Sequence, residues 1–138
     1  MGFLKRLTLA ASSAAVLATG LAASPASAAP VYQCVTVWSE DGGTALGEAC
    51  FYHYGDMVTV RDLYAGGARA VGVWKTNYGR SGECHNAYGA NDRTVSCNYN
   101  MKETGIVTLS VCVREGANGK NLLCSGSRSI HIGTGERV

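Results

Sequence analysis

Nothing after residue 28 repeats apolar side chains at helical spacing, which argues against an all-α or α/β domain. The chain has no C-x-x-C pair, so a structural zinc site lacks its usual closely spaced ligands, and no metal or other cofactor is expected. It has no H-E-x-x-H and no phosphate-binding glycine loop. It has no G-x-S-x-G elbow either. The nearest string, Gly79-Arg80-Ser81-Gly82, has neither the spacing nor the strand-to-helix setting of one. Internal repeats, low-complexity tracts and a linker to a second domain are also missing. The familiar enzyme signatures are absent.

What is present begins with an export signal. Lys5 and Arg6 precede an apolar run over residues 7–23, and Ala26-Ser27-Ala28 forms an A-x-A cleavage site. This order predicts a secretory signal peptide over residues 1–28 and a single secreted, extracellular domain over 29–138. The run is too short and too rich in alanine for a membrane anchor, and no other stretch could span a bilayer. The full chain carries 12 Lys+Arg and 10 Asp+Glu; removing Lys5 and Arg6 leaves ten of each sign. Proteins that hold phosphate backbones show a basic excess, so neither nucleic acid nor an anionic membrane is an expected partner.

All six cysteines lie beyond the leader, and an even number in a small exported domain predicts three disulfides. Turn chemistry selects the pairs. Cys34 and Cys50 are equidistant from Gly42, in a loop Asp41-Gly42-Gly43 whose last glycine can take positive φ. Cys112 and Cys124 are equidistant from Asn118, with Gly119 closing that loop, and Cys84 and Cys97 centre on Ala90-Asn91. The expected bridges are Cys34–Cys50, Cys84–Cys97 and Cys112–Cys124, each closing a hairpin. Each contributes about 3 kcal/mol by loop-closure entropy, which is large beside a typical net stability of about 5–15 kcal/mol. Their structural role needs no catalytic supplement.

The intervening segments alternate as strands do. Residues 31–38, 44–52, 57–64, 68–75, 106–114, 121–124 and 127–132 each fit. Val58 and Val60 share one face, while Val107, Leu109, Val111 and Val113 point inward against Thr108, Ser110, Cys112 and Arg114. Residues 133–138 are expected to form a loose tail. Seven to nine short strands with turn signals between them predict an all-β, antiparallel β-sandwich or a related barrel.

One stretch resists this pattern. Residues 74–97, rich in Gly, Asn and Tyr, contain Trp74, Asn77, Tyr78, Arg80, His85, Asn86 and Tyr88. Flat rings and adaptable amides on a tied-down loop suit a contact surface, so these seven are the candidate binding residues. The competing reading places Trp74 in the core. Glu83, His85 and Arg80 could instead serve a ribonuclease-like proton transfer, although they lie within six residues on one loop. His53 with Asp56 reads as an exposed turn pair, and His131 as a solvated strand residue.

The leader ending Ala26-Ser27-Ala28, with Tyr78-Gly79-Arg80-Ser81-Gly82 and Cys97-Asn98-Tyr99-Asn100, resembles small secreted six-cysteine proteins of actinobacteria, most of them uncharacterised. The resemblance implies no activity. Secreted β proteins of such bacteria include amylase and protease inhibitors, but the Trp-Arg-Tyr triplet of the amylase inhibitors is missing here. Enediyne carrier apoproteins share the size, yet their two disulfides and scarcity of tyrosine differ from six cysteines and seven tyrosines. The expectation is a secreted, non-enzymatic protein that binds an extracellular protein or glycan around Cys84–Cys97. A hydrolase inhibitor, and a small hydrolase or ribonuclease, are the alternatives.

Overall fold

A computed structural model describes residues 31–91 and 93–138, so the expected leader lies outside the described residues. Among the described residues nine strands follow one another: β1 (Tyr32–Trp38), β2 (Ala45–Tyr52), β3 (Met57–Asp62), β4 (Arg69–Thr76), β5 (Ser81–Asn86), β6 (Thr94–Asn98), β7 (Ile106–Arg114), β8 (Asn121–Cys124) and β9 (Arg128–His131). One sheet has the order β1-β2-β3-β6; the other runs β5-β4-β7-β8, with β9 also pairing β7. Every pairing is antiparallel. β8 and β9 lie end to end along β7, and Ser125 bridges the break: its N donates to Val111 O at 2.8 Å and its hydroxyl accepts from Val111 N.

The two sheets pack face to face as a sandwich. Strand side chains alternate between faces, so Val35, Val37, Ala49, Phe51, Val58 and Val60 of one sheet meet Ala70, Trp74, Val107, Leu109 and Val111 of the other. The opposing sheet packs tightly over Gly72. A Cβ there would lie 2.9 Å from Val60 Cγ2, so only glycine fits this approach.

The three disulfides form in the expected pairs. Cys34–Cys50 and Cys112–Cys124 join residues directly opposite in paired strands. Cys84–Cys97 does not close a hairpin, contrary to expectation. β5 pairs β4 while β6 pairs β3, so this bridge ties one sheet to the other.

Other expectations are corrected by local geometry. Positive φ falls on Gly42 (73°) and Gly116 (66°) rather than on Gly43 and Gly119. The β1–β2 connection is wider than three residues, closing where Ser39 N donates to Thr44 O at 2.8 Å. Gly119 is required for space instead, because a Cβ there would meet Glu115 O. Residues 133–138 are no loose tail: His131 N donates to Glu136 O, Val138 N to Ser129 O, and Ile130 bridges Arg137. Asp56 is not an exposed turn residue. It is buried with φ 50°, and its Oδ2 accepts from Met101 N at 2.8 Å, fastening the β6–β7 connection.

Antiparallel order sends the connections β1–β2, β3–β4, β5–β6 and β7–β8 to one end, here called the upper end. The connections β2–β3, β4–β5 and β6–β7 gather at the lower end. Each disulfide joins two strands whose connection is at the upper end. Among the described residues, no helix is long and apolar enough to cross a membrane.

Candidate functional site: a cleft at the upper end

The seven residues expected on one surface occupy four places. Trp74 (2% exposed) and Asn86 (0%) are buried and are withdrawn from any contact surface. Asn86 is structural: its amide donates to Val60 O and Arg93 O, and its carbonyl accepts from Tyr88 N. Asn77, Tyr78 and Arg80 lie at the lower end, where all three hold the β6–β7 connection. Asn77 Oδ1 accepts from Ile106 N, Tyr78 Oη accepts from Lys102 N, and Arg80 donates to Asn100 O. His85 sits on the outer face of its sheet. Only Tyr88 reaches the upper end, exposed and with the Arg93 guanidinium 4.5 Å over its ring.

The outer face does assemble a Glu, a His and an Arg, but the arginine is Arg114 rather than Arg80. Arg114 lies on the outward face as expected, but it is buried along the sheet, reaching past β4 to β5. Its two terminal nitrogens donate to Glu83 Oε1 and Oε2, both at 2.8 Å, and its Nε donates to Asn121 Oδ1 at 2.7 Å. These hydrogen bonds hold the Glu83 carboxyl down at about 2. A general base works best with a pKa near the operating pH, so Glu83 is badly matched to proton abstraction. His85 Nε2 lies 2.8 Å from Glu83 Oε2, and its Nδ1 is buried without a partner among the described residues, so neither nitrogen is open to a substrate. The cluster reads as a structural clamp.

The clamp has an acid signature. Unfolded Glu83 titrates near 4.5 and folded Glu83 near 2. Its folded pKa is depressed, so its stabilisation is complete above about pH 4.5 and is lost as pH falls towards 2. The gap corresponds to about 3 kcal/mol; with the side chain 39% exposed, solvent screening reduces this to roughly 1 kcal/mol. Thermal melts should place Glu83→Gln below wild type at pH 7, with the difference closing between pH 4.5 and 2. A constant difference across that window would refute the assignment.

The upper end holds a concave surface. Leu46, Tyr64, Val113, Leu122 and Leu123 supply the large apolar and aromatic side chains lining a cavity of about 560 Å³. A second basin of about 340 Å³ adjoins it, sharing Asp62, Tyr64 and Ala68, with Arg69, Tyr88 and residues 87–90 beyond. Asp62 is the unusual member. It closes β3 on the inward face, after Val58 and Val60, opposite Gly47, which offers no side chain. It is 5% exposed; Oδ1 accepts from Tyr64 N at 3.2 Å, and Oδ2 has no partner among the described residues. Burial pushes its pKa up. At the rim, hydrogen bonds from the Ser39 hydroxyl and Gly43 N lower that of Asp41.

Sequence reasoning missed this cleft because its walls come from the ends of separate strands and from the connections between them. One signal was readable: Asp62 follows Val58 and Val60 at core-facing parity, where an acid is out of place. The only close group of possible metal ligands among the described residues is Cys34, Glu48 and Cys50. Two of these share a disulfide and have no thiolate to offer. No protein-family model matches the chain, and no curated protein or solved structure matches it.

Proposed function

We propose that the protein is an exported, non-enzymatic binding protein that takes a small ligand into the cleft at its upper end. The observation that carries this reading is the apolar cavity of about 560 Å³, within the roughly 300–1,000 Å³ usual for small-molecule sites. Three of the four upper connections join disulfide-bridged strands, which favours a pre-formed site, since order imposed beforehand is not charged against binding. Export is supported by the leader and by the disulfides, which persist in oxidising compartments. The contact expected around Cys84–Cys97 narrows to Tyr88 and its neighbours in the second basin. A concave apolar wall suits a compact molecule better than a flat protein or glycan surface.

A neutral hydrophobic dye, N-phenyl-1-naphthylamine, tests this. Its fluorescence should rise saturably with the wild-type protein, and Ala68→Trp, which fills the ground shared by both basins, should remove the rise without lowering the melting temperature. Absent binding, or binding indifferent to Ala68→Trp, would defeat the proposal.

A further inference from the structure

Resting on that reading, we propose that the cleft selects cationic apolar molecules, amines whose ammonium group pairs with Asp62 while their hydrocarbon lies against Val113, Leu122 and Leu123. Two independent observations lead there. Among the described residues, the charged side chains lining the larger basin are Glu40, Asp41 and Asp62, three carboxylates with no cation among them. Asp62 Oδ2 is buried and has no hydrogen-bond partner among the described residues.

A buried carboxylate oxygen without a donor disfavours the folded state. Asp41 has its own donors in Ser39 and Gly43, whereas Asp62 has only Tyr64 N on its other oxygen. An ammonium group carries three donors and a full charge, so it would satisfy Oδ2 and neutralise the carboxylate in one contact. Tyr64 also lines the basin, and aromatic rings attract cations. Arg69, the basic residue of the adjoining basin, directs the ammonium towards the larger one. An anionic ligand would meet three like charges there. Apolar walls with acid at the base and rim define an amphipathic cation.

Three probes of one shape separate charge from shape: 1-naphthylmethylamine, 1-naphthylmethanol and 1-naphthoate, titrated calorimetrically at pH 7 and low salt. The amine should bind at least tenfold more tightly than the alcohol, and the carboxylate more weakly than either. Asp62→Asn should bring amine and alcohol to within about twofold, with an unreduced melting temperature as proof of an intact fold. Equal affinities in the wild type, or a preference for the amine that survives Asp62→Asn, would overturn the charge assignment and leave the cleft standing. If the alcohol also fails to bind, or binds regardless of Ala68→Trp, the binding reading falls with it.

Discussion

Replacing Cys84 and Cys97 together with alanine should destabilise the protein by about 3–5 kcal/mol, more than removing either other bridge. Loop-closure entropy does not separate the three, since the sequence separations are 16, 13 and 12 and the effect grows only with the logarithm of loop length. The native state does. Cys34–Cys50 and Cys112–Cys124 link residues whose strands are already held side by side by backbone hydrogen bonds. Cys84–Cys97 links β5 and β6, each an edge strand of a different sheet. Cys84 is fully buried, so its loss also leaves a void beside Val58. Without the bridge, those edges are held to each other by side-chain packing and by the hydrogen bonds of Asn86 and Tyr99, and the connection carrying Tyr88 loses its covalent anchor. Urea unfolding of the three double variants gives the ranking. If either hairpin bridge proves equal or larger, the inter-sheet role assigned to Cys84–Cys97 is wrong.

The parts of the fold that could be read from the sequence are those set by local alternation. Val58 and Val60 in β3, and Val107, Leu109 and Val111 in β7, face the core because neighbouring side chains point to opposite faces whatever the strand pairs with. Pairing of Cys84 with Cys97 was readable for the same local reason, but its meaning was not. Two cysteines placed symmetrically about Ala90-Asn91 fit a hairpin and an inter-sheet link equally well.

The candidate site was scattered by the same geometry. Residues 81–86 form a strand, and six residues at about 3.3 Å each span roughly 20 Å. Arg80 and Tyr88, close in sequence, therefore sit at opposite ends of the sandwich. Arg114 and Glu83 show the converse. Their contact depends on β4 lying between β7 and β5, in a register that places Arg69 beside Arg114 and Val73 beside Glu83. No local pattern carries that information. Asp62 lay between these cases: its inward parity was visible in β3, while the cleft it faces required all four upper connections.

Trp74→Ala should reduce stability by about 3–5 kcal/mol and should not act through binding. The indole lies against Tyr99, ring centroids 4.6 Å apart and edge-on, and a Cβ on Gly82 would lie 2.5 Å from its Cζ2. Truncation would leave a space that two strands cannot close without losing their register. Trp74→Phe should do much less harm. The Trp74 Nε1 donor is buried with no partner among the described residues, so a hydrocarbon ring removes an unsatisfied group while keeping most of the contact. The pair of variants separates packing from recognition. Trp74 lies in β4 opposite Gly82, well below the upper connections. Folded Trp74→Phe should therefore bind N-phenyl-1-naphthylamine as wild type does. Denaturant curves and dye titration on the same samples decide the matter. An unaltered midpoint for Trp74→Ala would contradict the packing assignment. Full stability with lost dye binding in Trp74→Phe would move the ligand site away from the upper cleft and towards residues 74–82.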